Sequence, residues 1–278
     1  MVKSLIFGAS LLLSVSVFAE VVVKTGDKIG FLGDSITHYG NNHPGGYVNL
    51  VIAGLEANGI KAEKIPAGIS GHKSNQMLER VEKDVLSKNP AFMLLSCGVN
   101  DVWHGRRGVE LPEYKKNITA IIDKAQAAGV KVCILTATMI AENPQNSYNI
   151  KLASYNEFLR QLAVEKGCML ADLNEIMQKG VAEFAAKNPG FKGNYYTNDG
   201  VHINALGDAM MAESILRTFG MDDAQIAKAK AAWQGRKVSV GKVVLSADVL
   251  EKVAVKAAKK NMSILEYIEF AAENMPSK

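Results

Sequence analysis

Cysteine is scarce, with three among 278 residues, too few for a disulfide scaffold. Proline numbers only seven. With 48% hydrophobic and 22% charged residues, the chain is excluded from the disordered, collagen-like and low-complexity classes. An excess of one charge is also missing. The 32 Lys and Arg against 28 Asp and Glu leave a net +4 spread along the sequence, which argues against a nucleic acid partner, since that needs a concentrated basic face. Beyond the first twenty residues no apolar run is long enough to cross a bilayer, so no membrane span is expected in the mature chain. Composition implies no cofactor and no metal, and HExxH, P-loop and clustered Cys/His patterns are absent. What is present is a length suited to one large domain, or one domain with a small extension.

The first nineteen residues read as a leader. Lys3 precedes an uncharged apolar run from Leu5 to Phe18, and Val17-Phe18-Ala19 places small residues at the −3 and −1 sites before Glu20. That is a secretory signal peptide over 1–19; the run is too short for a membrane anchor, and no Cys follows it for lipidation. Cleavage after Ala19 is expected to leave an exported chain, periplasmic or secreted. Cys97, Cys133 and Cys168 sit in apolar runs and are expected as core thiols.

The mature chain alternates. Short apolar runs at Lys28–Leu32, Lys61–Ile65, Leu94–Leu95, Lys131–Thr136 and Cys168–Ala171 read as buried strands. Helical spacing occupies Tyr47–Ala57, Tyr114–Ala128, Asn149–Lys166 and Asn204–Phe219. Strands of this kind separated by amphipathic helices predict a parallel sheet covered on both faces, a doubly wound α/β sandwich. This domain is expected over 20–220. Residues 221–278 read as a small, mostly helical extension: Asp222 and Ser263 open capping-box patterns, Lys237–Leu245 is extended, and Val249, Leu250, Val253 and Ala257 share a helical stripe.

In a parallel sheet the loops after the carboxyl ends of the strands collect the active groups, and four unusual blocks fall there. Gly33-Asp34-Ser35-Ile36-Thr37 follows the first strand; Ser35 is either a nucleophile facing the crevice or simply a helix N-cap. Asp199-Gly200-Val201-His202 sets a carboxylate and an imidazole three residues apart, the partners a serine hydroxyl needs for activation; a loop histidine is the plainer reading. Gly68-Ile69-Ser70-Gly71 and Gly98-Val99-Asn100-Asp101 offer backbone N–H groups and an amide for an oxyanion, or are ordinary turns.

Taken in order, Ser35 in GDSIT, Gly71 in GISG, Asn100 in GVND and His202 in DGVH resemble the SGNH (GDSL) hydrolase superfamily, over roughly residues 27 to 219. The resemblance implies a flavodoxin-like three-layer sandwich on a five-stranded parallel sheet, and ester hydrolysis without a cofactor or metal. It implies Ser35 as nucleophile, His202 as general base, Asp199 as its orienting carboxylate, and the Ser35 and Gly71 N–H groups with the Asn100 amide as the oxyanion hole. No G-x-S-x-G elbow points to the α/β-hydrolase alternative. His72 stands where many relatives carry Asp, and Ile203 where Pro is frequent. Asp34 and Asp101 read as structural hydrogen-bond partners, and His38 and His43 as surface or rim residues.

Trp103, His104 and Tyr196 are the substrate-binding candidates, close in sequence to the motif blocks: the aromatics could stack on a sugar ring and His104 could bond a hydroxyl, or these residues form a packed rim. The expected partner is a small-molecule or glycan ester, with acetyl the favoured acyl group. A lipolytic esterase, thioesterase or lysophospholipase would need an apolar groove; an acyltransferase would use the same serine; and a non-catalytic glycan- or envelope-binding module would have no need of Ser35, Asp199 and His202 together. The sequence carries no sign of oligomeric state.

Overall fold

A computed structural model describes residues 20–240 and 243–274 of the chain; the leader expected at 1–19 lies outside the described residues. In chain order the elements are β1 (Lys28–Gly33), α1 (Ser35–Asn42), α2 (Tyr47–Ala57), β2 (Glu63–Gly68), α3 (Ser74–Asp84), β3 (Phe92–Ser96), α4 (Val99–Trp103), α5 (Leu111–Ala127), β4 (Lys131–Leu135), α6 (Ser147–Lys166), β5 (Met169–Ala171), α7 (Leu173–Lys187) and α8 (Ala205–Thr218). The last sixty residues add α9 (Asp223–Trp233), the strands β6 (Lys237–Val240) and β7 (Val243–Ser246), α10 (Ala247–Ala258) and α11 (Ile264–Glu273).

The first five strands form one parallel sheet in the order β2-β1-β3-β4-β5. This is the flavodoxin-like order, whose crevice opens at the switch point between β1 and β3. Every residue of β3 and all but Lys28 of β1 are buried, because helices cover both faces. Leu32 pairs with Leu95, and Gly33 with Gly68, so the loops leaving β1, β2 and β3 emerge at one level.

Strand β2 runs three residues beyond its expected end and passes through Pro66, opposite Phe31. It is an edge strand, where the N–H that proline lacks need not pair. Helices α3, α4 and α7 were not expected, and α1 only in the reading that made Ser35 a helix N-cap, a place Asp34 takes. Only Ser35, Ile36, Thr37 and Gly40 of α1 are buried, so no apolar stripe marks it; it starts because Asp34 Oδ1 accepts the Ile36 N–H at 2.9 Å, an N-cap.

In the extension, Asp222 and Ser263 do close capping boxes at the starts of α9 and α11, and the extended stretch is the antiparallel β6–β7 hairpin. The stripe of α10 is turned from the expected one: Leu250, Ala254, Ala257 and Ala258 are buried, whereas Val249 is exposed. Helix α9 lies on α2, with Trp233 donating its indole N–H to the Leu50 carbonyl at 2.8 Å, and Ile226, Ala229 and Trp233 join the main core. Val238, Leu250, Ala254 and Ile264 form a second cluster with Phe184, Ala205 and Leu206. Cys97, Cys133 and Cys168 are free thiols, the first two buried and Cys168 half-buried. Among the described residues no helix is long and apolar enough to cross a membrane, and no group of three or more His, Cys, Asp or Glu could hold a metal ion.

Candidate active site

The sequence places Ser35 as the first residue of α1, directly after the central strand β1. Its N–H is therefore one of the helix donors without an intrahelical partner, at the positive end of the helix dipole. The side chain is 7% exposed. From the far end of the domain, 167 residues later, His202 brings Nε2 to 3.2 Å from Ser35 Oγ. His202 Nδ1 lies 2.6 Å from Asp199 Oδ2, while Asp199 Oδ1 accepts the N–H groups of Val201 and His202 at 3.0 and 2.7 Å. Partial burial raises the Asp199 pKa, but the bonds from the His202 side chain and these two backbone groups outweigh it and hold the carboxyl below its ordinary value. It is thus ionised near neutral pH and can orient an imidazole and stabilise its protonated form.

Asn100 enters from the first turn of α4, 3% exposed, and spends one amide proton on the His72 carbonyl at 3.1 Å; the second is available to a ligand. His72 is itself held by Arg80, whose Nε donates to His72 Nδ1 at 3.1 Å. The same guanidinium donates to the Gly33 and Ala67 carbonyls at 2.8 Å, tying the ends of β1 and β2 beside Gly71. Gly71 lies in the turn after β2, half-buried, and open space lies where a Cβ would point.

Beneath the site two carboxyls act as scaffolding. Asp34 is buried and caps α1; burial pushes its pKa up to about 6 against the bond from Ile36. Asp101 accepts the Ser74 N–H and hydroxyl at 3.0 and 2.6 Å, anchoring α3. His38 bonds Asn42 at the surface.

The substrate candidates separate. The Trp103 ring stands 6.5 Å from the His202 ring, edge to face, with His104 behind it at 5.9 Å. Tyr196 is not brought to the site. Its hydroxyl lies against Gly180 of α7, and its ring joins Tyr195, itself stacked on Phe184 at 3.9 Å. Nearness to Asp199 in sequence misleads here, because the 195–197 segment turns these rings toward α7 and the extension. The residue that sequence reading missed is Tyr39, 43% exposed and edge-on to His202 at 5.5 Å. It is four residues after Ser35, so a helix starting at that serine sets both on one face; without α1 the spacing carried no meaning.

A sequence profile of the GDSL-like lipase/acylhydrolase family matches residues 31–210, a span that contains the four motif blocks. The chain belongs to this family. Acetylxylan esterase of Geobacillus stearothermophilus is 26% identical over 224 residues, 72% of this chain and 97% of that enzyme. Esterase TesA of Pseudomonas aeruginosa is 31% identical over 105 residues, 37% of this chain and 51% of the other. The crystal structure of the Geobacillus acetylxylan esterase Axe2 superposes with a TM-score of 0.62 at 23% identity, covering 72% of this chain and 97% of that one. An α/β hydrolase enzyme from the metagenome of Lake Arreo, Spain, gives 0.64 at 24%, covering 72% and 98%. These neighbours share the fold, and family membership makes this GDSL-like protein a carboxylic ester hydrolase.

Proposed function

We propose that the protein is an exported serine esterase that removes short acyl groups, acetyl foremost, from carbohydrates. The observation that carries this reading is the continuous hydrogen-bonded line Asp199–His202–Ser35 at 2.6 and 3.2 Å. Ser35 Oγ attacks the ester carbonyl while His202 Nε2 takes its proton, and Asp199 stabilises the imidazolium. The tetrahedral oxyanion is received by the N–H groups of Ser35 and Gly71 and the free amide proton of Asn100. His202 then protonates the departing alcohol. Water, deprotonated by the same nitrogen, attacks the acyl-enzyme and releases the acid and free Ser35.

The hydrolase domain is taken as residues 20–220, with 221–278 as an extension packed on it and 1–19 as the cleaved leader. A carbohydrate ester is favoured by the acetylxylan esterase relative and by the exposed rings of Tyr39 and Trp103 beside His202, which offer apolar faces to a sugar. In the test, hydrolysis of a chromogenic acetate ester and acetate release from acetylated xylo-oligosaccharides are measured for the parent and for Ser35→Ala. Turnover of both substrates by the parent alone supports the reading. Activity retained in a folded Ser35→Ala refutes the nucleophile, and turnover of the chromogenic ester without acetate release refutes the carbohydrate substrate.

A further inference from the structure

One buried carboxylate outside the triad is spent wholly on the loop that carries Asp199 and His202. Glu142 lies between β4 and α6 and is 8% exposed. Its Oε2 accepts the Tyr195 N–H at 2.7 Å, and its Oε1 accepts the Tyr196 N–H at 2.8 Å and the Thr197 hydroxyl at 2.7 Å. Thr197 Oγ1 passes the connection on by accepting the Gly200 N–H at 3.2 Å. The neighbouring Ala141 N–H donates to the Gly200 carbonyl at 2.6 Å. Two consecutive residues of one loop therefore grip the segment 195–200 from the sheet side.

The grip is built against backbone preference. Ala141 and Glu142 have φ of +57° and +43°, left-handed values that non-glycine residues hold only where their surroundings impose them. Asn149 of α6 imposes them: its Nδ2 donates to the Ile140 and Asn143 carbonyls at 2.5 and 2.7 Å, and its Oδ1 accepts the Ile140 N–H at 2.8 Å. Opposite, Gly200 at φ +91° lies so close that a Cβ there would stand 3.1 Å from Ala141 Cα. Strain of this kind gathers where a precise arrangement is needed. By contrast, Asp199 and His202 bond chiefly to each other, and the Asp199 side chain is 54% exposed; the pair does not fix its own distance to Ser35.

We infer that Glu142 is a positioning residue, whose buried carboxylate fixes the 195–200 segment so that the Asp199–His202 pair stands within hydrogen-bonding reach of Ser35. The inference rests on the triad reading above. A carboxylate suits the task because both oxygens accept, whereas an amide of the same shape turns an NH₂ group toward a backbone N–H.

The test compares the parent, Glu142→Gln, Thr197→Val and Ser35→Ala by kcat and KM on a chromogenic acetate ester, circular dichroism, and the low-field proton NMR signal of the short His202–Asp199 hydrogen bond. Glu142→Gln is expected to lower kcat about 10- to 100-fold, the scale of a displacement on the order of 1 Å, with KM within about twofold and the low-field signal shifted or broadened while the dichroism is unchanged. Thr197→Val, which cuts the Glu142–Gly200 connection and leaves both backbone bonds, is expected to move the same two readouts in the same direction by less. A folded Glu142→Gln with parental kcat and an unmoved signal overturns the inference. If that variant does not fold, parental kcat and signal in Thr197→Val overturn it instead. Ser35→Ala separates the two claims: activity surviving there refutes the triad, whereas activity lost there but parental in Glu142→Gln refutes only the positioning role.

Discussion

Replacing Asp199 by asparagine tests the triad more sharply than removing it. In the folded protein Oδ1 is committed to the backbone N–H groups of Val201 and His202, and only Oδ2 faces the imidazole. An asparagine keeps its oxygen on the two backbone donors, because the reverse orientation sets N–H against N–H. Its NH₂ must then face Nδ1 of His202. Nδ1 becomes an acceptor, the ring proton moves to Nε2, and Nε2 points that proton at Ser35 Oγ when it should accept one. The expected result is a fall in kcat on the order of 10³–10⁴, about 4–5.5 kcal/mol in the barrier, with KM little changed. Asp199→Ala frees the imidazole to choose its tautomer, and the 54% exposure of the carboxylate lets water take its place. The alanine variant should therefore be the more active of the two. Steady-state hydrolysis of a chromogenic acetate ester, followed from about pH 5 to pH 9, measures both. Equal or higher activity in the asparagine variant, or either folded variant within about tenfold of the parent, would show that Asp199 only shapes the turn.

Asn100→Ala should lower kcat roughly 10²–10³-fold if its free amide proton meets the oxyanion, and an unchanged kcat removes it from that role. Asp34, with its pKa raised from 3.8 to about 6 by burial, binds its proton more tightly folded than unfolded. Its contribution to stability is therefore full below about pH 4 and is lost, by roughly 3 kcal/mol, as pH rises through about 6. Asp34→Asn keeps the acceptor for Ile36 and should flatten this dependence, so thermal unfolding at about pH 8 should show the variant above the parent, and the opposite order contradicts the account. Tyr39→Ala and Trp103→Ala should each raise KM for an acetylated oligosaccharide about 2- to 12-fold, the worth of one lost ring contact, and leave kcat/KM for a small acetate ester near parental; equal losses on both substrates would place the rings in the chemistry, not in recognition.

What could be read from the sequence is what local chemistry determines. Tyr47–Ala57 appears as a helix and Lys131–Leu135 as a strand at almost the expected limits, because both bury long apolar stretches whose period is visible in the residues alone. Three motif blocks are legible for a related reason, each being a turn after a strand of the sheet, whereas Asp199–His202 lies in the loop between α7 and α8 and follows no strand. Helix α1 starts on its local cap Asp34, but it is held by the pairing of Thr37 with Tyr47 across 2.7 Å, as α3 is by the Asp101 carboxylate on Ser74, and these remote anchors have no local signature. The same blindness hid Tyr39 and left Tyr196 open between a substrate contact and a packed rim. Glu142 gave no signal because its partners are mostly backbone N–H groups, which every sequence possesses.

The division between legible and hidden follows the way the site is built. Asp199 and His202 come from one four-residue turn, so their mutual geometry is settled by local bonds, and the pair survives on a loop open to solvent. Ser35, Gly71 and Asn100 leave β1, β2 and β3, adjacent strands whose register already levels their ends. What remains for tertiary structure is one relation, the placing of a turn near the end of the chain against a helix near its beginning. Neither the sheet register nor the turn supplies it. That is where the strained residues Ala141 and Glu142 lie, and where backbone donors are consumed by a buried carboxylate. Long-range bonds are thus supplied at the joint that local structure leaves loose, so changes there should disturb the rate more than their distance from Ser35 suggests.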